Sequence, residues 1–504
     1  MLSNSSDTPP SISAPRVTLA WRIGSLIASL IVSLLVYFQT LGERADFDDY
    51  SYWPDAITRG HPLMNFFHTV HDIFYRPFQQ LAIQYTVANG TSIAPLLLTQ
   101  IFLHGLFAWL VGAALFAVRK SPPEAIVATV FMLISPSAEY AVGGVDCIHQ
   151  ILCSLFGCIS IAFFVKAKFL GNPSRRYRTG FLIASVFAFF LSLLSKEAAV
   201  TYFLILCYLI FAKTDSVESI QPKLSERFVQ LFAYILVTIV WLTMRHHAGG
   251  KIQVDGHYAI HFGPNVIVNM VQLGLGAITP DQTQHVYAAA QSRNLPLLAF
   301  YALTTLLVIG IIAFPLFKKE LRKTQFTLLA VALVASSAVF PLGNISELYT
   351  YMAIPFISAA FAIGAIQLWK RYPMPTVIVM IGLAILSVSS TESKIVQLNQ
   401  YSEYKGNLIR RLDEVAAQLP KGTHFVVYCR LRNDKPLYSV YTTDTFRVLR
   451  PAETKLPSVL GRKDITATVI SVSEKPQQAM LPGDSGIYVD GWSGDGSIEI
   501  EPLK

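Results

Sequence analysis

The chain begins its apolar pattern with Val17–Phe38, which reads VTLAWRIGSLIASLIVSLLVYF. An α-helix needs about 20 mostly apolar residues to cross the hydrocarbon of a bilayer, and this stretch has that length. It is also longer than the apolar region of a secretory signal peptide, which has about 7 to 15 residues. Arg16 precedes the stretch and Arg22 lies inside it. We therefore predict an uncleaved membrane anchor with a cytoplasmic amino terminus.

Apolar stretches of similar length recur along most of the chain. Ten follow the first: Ile93–Val118, Ala125–Tyr140, Ile148–Val165, Gly180–Leu194, Ala198–Phe211, Phe228–Met244, Pro296–Phe317, Phe326–Leu342, Tyr349–Leu368 and Thr376–Val388. With 53% hydrophobic residues, 14% charged residues and a mean hydropathy of +0.46, the chain has too little polar surface for ordinary soluble domains. We expect an all-α polytopic membrane protein with about eleven transmembrane helices. The formal net charge of +8 does not indicate nucleic-acid binding, because the basic residues lie in short turns between apolar stretches.

These basic turns predict the orientation of the chain. They contain Arg119, Lys120, Lys166, Lys168, Arg175, Arg176, Arg178, Lys213, Lys223, Arg227, Lys318, Lys319, Arg322, Lys323, Lys370 and Arg371. The positive-inside bias assigns all of them to the cytoplasm. A single crossing over residues 180–211 would place the later basic clusters outside. Two short helices are therefore expected there, with Lys196 and Glu197 facing outward.

This topology divides the chain into two parts. Residues 1–390 are expected to form a transmembrane module, with a first outer loop at 41–92 and a second at 245–295. Residues 391–504 are polar enough for a small soluble domain on the outer face. Four strand-like stretches predict a β-rich fold for this domain: Phe425–Leu431, Ser439–Leu449, Thr466–Val472 and Ile498–Ile500.

The first outer loop contains two adjacent acids, Asp48 and Asp49, within the sequence FDDY. Two carboxylates in a partly dry cleft resist ionising together, so one can accept a proton while the other orients a hydroxyl. A solvated acidic loop is the alternative, and only the surrounding residues can distinguish the two. Because two carboxylates make a thin oxygen shell for a divalent cation, we predict neither an essential metal nor another cofactor.

Further ionisable groups are predicted at the same membrane face. They lie at the outer ends of apolar stretches and comprise Arg76, Asp146, His149, Lys196, Glu197, Arg245, His246, His247 and Glu347. A charged residue at membrane depth costs about 2.5 to 3.5 kcal/mol, so Lys196 and Glu197 need a stabilising partner. A lipid phosphate would be such a partner. The alternative is that the two side chains cap a tight helical hairpin and pair with each other.

Several short motifs occur in an order that resembles a known enzyme superfamily. The motifs are FDDY at 47–50, YRPF at 75–78, an apolar helix ending in His104, LSKE at 194–197 and SELYTY at 346–351. Their order is similar to that of the GT-C glycosyltransferase superfamily, especially its protein O-mannosyltransferase-like and bacterial relatives with DD and YRPL signatures. The resemblance covers about residues 21–368. The chain departs from the family at Leu97 and Gln100, where His and Asn are usual, and in its β-rich tail.

The resemblance implies an integral membrane glycosyltransferase that moves a hexose or pentose from a polyprenyl-phosphate donor, usually with inversion. The acceptor would be a protein, a lipid or a glycan at the periplasmic face of a bacterial inner membrane. Asp48 would be the base, and Asp49 would orient the acceptor. The donor phosphate would be bound by Arg76, Lys196 and Arg245, which would stabilise its growing charge. The substrate-binding residues would be Glu197, Glu347, Tyr349, Tyr351 and His104.

Other functions share some of these features. A transporter or a lipid-linked glycan flippase also places charge in the membrane, but it usually has inverted repeats with broken helices, and no repeat is visible in this sequence. A membrane anchor for the tail would need only one or two helices. An O-antigen-ligase-type transferase would act from the second outer loop and leave the acidic first loop without a role. For His104, packing inside the helix bundle is the alternative to a catalytic role.

Overall fold

A computed structural model of the chain describes residues 19–42, 61–69, 73–88, 93–169, 175–212, 223–251, 259–343, 346–430, 464–472, 485–492 and 498–503. Most of these residues are helical. In chain order the α-helices are α1 (Leu19–Tyr37), α2 (Pro77–Ala88), α3 (Ala94–Arg119), α4 (Pro122–Leu133), α5 (Glu139–Gly143), α6 (Ile148–Phe169), α7 (Arg175–Ser195), α8 (Val200–Phe211), α9 (Leu224–His247), α10 (Pro264–Ile278), α11 (Thr283–Gln291), α12 (Leu295–Ala313), α13 (Lys319–Ser336), α14 (Ile354–Arg371) and α15 (Pro373–Ala416). Proline lies in the first turn of many of them, where its missing N–H costs nothing.

Seven of the described helices are long and apolar enough to cross a membrane. They cover Leu19–Gly42, Ala94–Arg119, Ile148–Lys168, Arg176–Ser195, Leu224–His247, Leu295–Phe317 and Pro373–Gln400. The bent pair α4 and α5 adds an eighth if it is one span, and α8 is a shorter apolar helix. Every apolar stretch found in the sequence falls on one or more of the helices. The predicted polytopic, mainly helical membrane protein is therefore confirmed.

One predicted stretch, Ala125–Tyr140, is broken into two helices. The axes of α4 and of the following helical segment Pro136–Gly143 differ by 54°. Proline lacks an N–H and disfavours the helical conformation of the preceding residue, and Ser135 is accordingly extended, with φ −65° and ψ 119°. As a result, Glu139 begins a separate short helix, and its carboxylate is buried in the bundle.

Glycines permit the closest contacts between helices of the bundle. A Cβ atom on Gly364 of α14 would lie 1.9 Å from the carbonyl oxygen of Ile311 on α12. On Gly112 of α3 it would lie 2.7 Å from the carbonyl oxygen of Ala125 on α4. Small residues at such contacts are typical of membrane helices, whose association depends on close packing. These contacts bring α12 close to α14 and α3 close to α4.

The last helix, α15, continues to Ala416 and passes residue 390 without a break. Its final turns carry Leu408, Leu412 and Ala416, which pack against Phe425 and other buried residues of the C-terminal sheet. Because these apolar residues recur at helical spacing, one face of the helix covers the sheet. The membrane module and the tail are thus joined by a single helix.

The C-terminal sheet has four strands in the order β2-β1-β3-β4. The strands are β1 (His424–Arg430), β2 (Thr466–Val472), β3 (Ser485–Trp492) and β4 (Ile498–Leu503). β1 is parallel to both β2 and β3, and β3 is antiparallel to β4. Three predicted strands coincide with β1, β2 and β4, whereas β3 was not predicted. The predicted strand Ser439–Leu449 lies outside the described residues.

Candidate functional site

Lys196 lies at the break between α7 and α8. Its backbone is extended, with φ −158° and ψ 144°, and a single 3₁₀ turn, Glu197–Ala199, leads into α8. The apolar stretch at 180–211 is therefore two helices with Lys196 and Glu197 between them, as predicted. The Lys196 side chain is buried, at 3% exposure. Such a buried ammonium needs polar neighbours that stabilise its charge.

The neighbours of Lys196 are an amide and an aromatic ring. Its Nζ donates a hydrogen bond to Oε1 of Gln150 on α6 and lies 4.8 Å from the centroid of the Tyr349 ring. No carboxylate within the described ranges forms an ion pair with it. Burial, and after it the charge of Arg76, lowers the pKa of Lys196 to about 8. Nε2 of Gln150 is buried and has no hydrogen-bond acceptor among the described residues.

Arg76 lies beside this turn and is held by Glu197. Its Nε lies 3.0 Å from Oε2 of Glu197, and Oε1 of Glu197 accepts the backbone N–H of Tyr75 at 2.8 Å. The guanidinium also approaches Nε2 of His149 at 3.4 Å and covers the Phe74 ring at 4.1 Å from its centroid. Glu197 therefore joins the segment before α2 to the α7–α8 turn. This arrangement differs from the hairpin alternative, in which Glu197 would pair with Lys196.

The side chains around this turn form a group that we call the rim cluster. Its members are Arg76, His149, Gln150, Lys196, Glu197 and Tyr349. When Lys196 is protonated, the cluster contains two cations, Lys196 and Arg76, and one carboxylate, Glu197. The lysine, arginine and carboxylate groups of these described residues together have a net charge of +1. Because a buried ammonium is unfavourable without a counter-ion, the environment of Lys196 is suited to an anion.

Arg245 was predicted as a third phosphate ligand and lies in the last turn of α9. Its NH2 donates to the carbonyl oxygens of Ile73 at 3.1 Å and of Lys251 at 3.0 Å. Arg245 thus holds the backbone of the segment that leads into Arg76. Its Nε is buried and has no acceptor among the described residues. The structure therefore places Arg245 next to the rim cluster, bound to backbone.

Glu347 belongs to a second, more deeply buried group. One of its oxygens lies 2.5 Å from Nζ of Lys394 on α15, and Lys394 also lies 3.3 Å from Glu139. The other oxygen accepts the N–H of Thr283 at 2.8 Å and the hydroxyl of the same residue. Burial alone would raise the pKa of Glu347, but the charge of Lys394 and these hydrogen bonds hold it below its usual value. We call Glu139, Glu347 and Lys394 the ion triad.

The ion triad is connected to the rim cluster through one short helix. Glu347 begins the 3₁₀ helix Glu347–Met352, and Tyr349 in the same helix lies over Lys196. In this way Lys394 of the last span fixes the segment that carries one wall of the cluster. Glu347 was predicted as a site residue from the sequence, whereas Glu139 and Lys394 were not. The presence of an acid inside an apolar stretch was the available signal for Glu139.

Tyr351 and His104, two predicted substrate-binding residues, are fully buried. Nδ1 of His104 lies 2.8 Å from the Tyr351 hydroxyl, and the imidazole packs edge-on against Tyr37 with ring centroids 5.4 Å apart. Gln100, one turn earlier on α3, donates to the carbonyl oxygen of Gly144 at 2.8 Å. These contacts join α3 to the helices around it and favour the packing interpretation of His104.

The predicted catalytic pair, Asp48 and Asp49, lies outside the described residues. Their roles remain predictions, as do the roles of the other named site residues. Over the described ranges, no group of three or more His, Cys, Asp or Glu side chains is placed to hold a metal ion. The predicted absence of an essential metal also stays a prediction, because Asp48 and Asp49, the carboxylates considered for a cation, lie outside the described residues.

No protein-family model matches the sequence, and no curated protein matches it. Solved structures similar to the chain include ArnT from Cupriavidus metallidurans in the apo state, with 12% identity, coverage of 94% of this chain and 93% of that one, and a TM-score of 0.49. ArnT bound to undecaprenyl phosphate gives 12% identity, coverage of 95% and 94%, and a TM-score of 0.49. The oligosaccharyltransferase AglB from Archaeoglobus fulgidus, in complex with an inhibitory peptide and a dolichol-phosphate, gives 11% identity, coverage of 96% and 74%, and a TM-score of 0.45. At these values the likeness by itself assigns no function.

Proposed function

We propose that this protein is an integral membrane glycosyltransferase of the GT-C type that uses a polyprenyl-phosphate-linked sugar as donor. The observation that carries the proposal is the buried ammonium of Lys196, which has an amide and an aromatic ring as neighbours and no carboxylate partner in the described residues. A phosphate that enters the cluster would neutralise this charge. The motif order that resembles the GT-C superfamily supplies the reaction to which such a site belongs.

In the proposed reaction, an acceptor hydroxyl attacks the anomeric carbon of the donor sugar. The new bond joins the acceptor oxygen to that carbon, and the bond from the carbon to the phosphate oxygen breaks. Asp48 takes the hydroxyl proton, while Asp49 orients the acceptor. The bonding electrons leave with the polyprenyl phosphate, whose negative charge therefore increases. Attack from the side opposite the phosphate inverts the anomeric configuration.

The rim cluster would act on this leaving group. Lys196 and Arg76 are cations already held in place by Gln150 and Glu197, so they need little reorganisation when charge develops. Nε2 of Gln150, which is buried and has no acceptor in the described part of the chain, would supply a further donor. Arg245 would act by holding the segment before Arg76 or by reaching the phosphate through its unpaired Nε. Glu197, Glu347, Tyr349, Tyr351 and His104 would shape or support the sugar pocket.

We further propose that the rim cluster faces the periplasm of a bacterium and that the protein lies in the inner membrane. His149 and Lys166 lie at opposite ends of α6, separated by about 26 Å along the helix axis at 1.5 Å per residue. The positive-inside bias assigns the Lys166 end to the cytoplasm, and the His149 end then lies outside. The proposed acceptor is a protein, a lipid or a growing glycan, and the proposed sugar is a hexose or pentose. No cofactor is proposed.

The experiment that tests this function is a mass analysis of cells that lack the protein. We expect a polyprenyl-phosphate-linked sugar to accumulate and a surface glycan or glycoprotein to lose one sugar residue. A flippase would also leave a lipid-linked sugar behind, so the purified protein should be assayed in detergent micelles, where no membrane separates donor from acceptor. Transfer in micelles supports the enzyme, whereas accumulation in cells without transfer in micelles would favour the flippase.

A further inference from the structure

A cavity lies at the other end of the helix bundle from the rim cluster. It has a volume of about 830 Å³ and lies between α1, α3 and α4. This volume is within the range of about 300 to 1,000 Å³ that is typical of small-molecule sites. Most of its wall is apolar, with Val32, Ala113 and Leu133 among the lining residues. We call this cavity the α1–α3–α4 groove.

Three basic side chains line the mouth of the groove. Arg22 lies in the first turn of α1, Lys120 directly follows α3, and Lys166 lies in the last turn of α6. All three are exposed, and none of the described residues that line the groove is acidic. The nearby carboxylate of Glu124 is buried and forms an ion pair with Arg119 at 3.0 Å. The mouth therefore carries positive charge that this carboxylate does not neutralise.

The groove lies beside an exposed apolar surface of α1. The outer face of α1 exposes large apolar residues, including Leu19 at 72% and Leu35 at 66%. Within a membrane such a surface is covered by acyl chains, and a groove beside it is open to them. Trp21 lines the groove beside Arg22, and indoles are enriched at the level of lipid headgroups. The shape and the charge together indicate an amphiphile with an apolar tail and an anionic head.

We propose that the α1–α3–α4 groove binds an anionic membrane phospholipid. One acyl chain would fill the apolar part, and the headgroup phosphate would contact Arg22, Lys120 and Lys166. Clusters of basic residues between transmembrane helices favour anionic headgroups, because each cation near the membrane surface adds to the attraction. The site is separate from the rim cluster, since Lys166 and His149 lie at opposite ends of α6. Its existence does not depend on the proposed glycosyltransferase activity.

The test measures the lipid that stays bound to the full-length protein. The purified chain is reconstituted in equimolar phosphatidylglycerol and phosphatidylcholine, extracted into detergent and washed, and the retained lipids are quantified by mass spectrometry. We expect phosphatidylglycerol to be retained in preference to phosphatidylcholine. Replacing Arg22, Lys120 and Lys166 together by Gln should lower this preference about 100-fold, at roughly fivefold for each cation. Equal retention of the two lipids by the unmodified protein would overturn the proposal.

Two control variants make the result specific. Replacing the exposed Lys319, Lys370 and Arg371 by Gln removes the same charge from the same predicted membrane face but outside the groove, and it should leave the preference unchanged. Ala28→Phe fills the groove and keeps its cations, so it should lower lipid retention with the charge intact. If the variant at Lys319, Lys370 and Arg371 loses as much of the preference for phosphatidylglycerol as the variant in the groove, the preference reflects general charge attraction. If the unmodified protein is a dimer that retains no lipid, and Ala28→Phe dissociates this dimer, the groove binds a second copy of the chain. Either of these two outcomes would refute the proposal.

Discussion

The variant Lys196→Met tests the role of the rim cluster most sharply, because it removes one charge and keeps a side chain of similar length. A hydrogen bond to a charged group contributes about 1.5 to 3 kcal/mol, which corresponds to roughly 10- to 150-fold in kcat/KM. If Lys196 stabilises the departing phosphate, kcat/KM for the lipid-linked donor should fall by this factor. Lys319→Met, on an exposed position at the start of α13, is the matched control and should keep full activity.

The same variant should change stability much less than activity. The pKa of Lys196, lowered from 10.5 to about 8, means that burial and then the charge of Arg76 destabilise the charged side chain in the folded protein by about 3 kcal/mol at pH 7. Because the folded-state pKa is lowered, this cost is present below pH 8 and disappears as pH rises through 10.5. Removing the ammonium relieves this cost but leaves Oε1 of Gln150 without its donor, at about 1 to 3 kcal/mol. The two effects are opposite in sign and similar in size.

The assay combines radiolabelled donor transfer in detergent with thermal unfolding of the same samples. We expect a large loss of kcat/KM with a shift in Tm of only a few degrees. Full activity in Lys196→Met would remove Lys196 from the reaction. A Tm that falls in proportion to the activity would show that Lys196 is merely structural. Either result would refute the assignment of the rim cluster to the donor phosphate.

Further predictions concern the base, the pH profile and the buried ion pairs. Asp48→Asn should abolish sugar transfer while expression and membrane insertion stay normal, and a transfer assay on purified protein checks this. In the unmodified protein kcat/KM for the donor should fall above about pH 8, since Lys196 loses its proton there; a falling limb that persists unchanged in Lys196→Met would contradict this cause. Glu197→Gln should lower the stability of the folded protein by about 3 kcal/mol, because the buried Arg76 guanidinium loses its ion pair with Glu197, and thermal unfolding measures the loss. Lys394→Met should cost about 3 to 5 kcal/mol, since two buried carboxylates lose their shared cation, and an unchanged Tm would show that the ion triad does not stabilise the fold.

The helices of this protein could be predicted from the sequence because the bilayer imposes a simple pattern. An apolar stretch of sufficient length has few alternatives to a helix, and even the break at Lys196 follows from charge and parity. The prediction was less accurate where the apolar pattern ends. Beyond Val388 the sequence becomes polar, yet α15 continues to Ala416, because apolar residues at helical spacing pack on the C-terminal sheet.

Contacts between distant residues could not be predicted from local patterns. Lys394 pairs with Glu347 and Glu139, far away in sequence, and only the packing of α15 against the bundle brings them together. The sequence pattern placed Glu197 next to Lys196 as a potential ion pair, whereas the fold supplies Arg76 as its partner. The strand β3 was missed because Asp490 and Gly491 interrupt its apolar alternation. Local composition thus predicts elements, and tertiary packing determines which charges meet.

The most direct test of the account is an experimental structure of the protein with a bound polyprenyl phosphate. We expect a phosphate oxygen at about 2.7 to 2.9 Å from Nζ of Lys196, with Arg76 on the same phosphate and Asp48 facing the position of the anomeric carbon. A phosphate bound away from Lys196, or a cluster closed to the lipid, would contradict the proposal that this buried ammonium receives the donor.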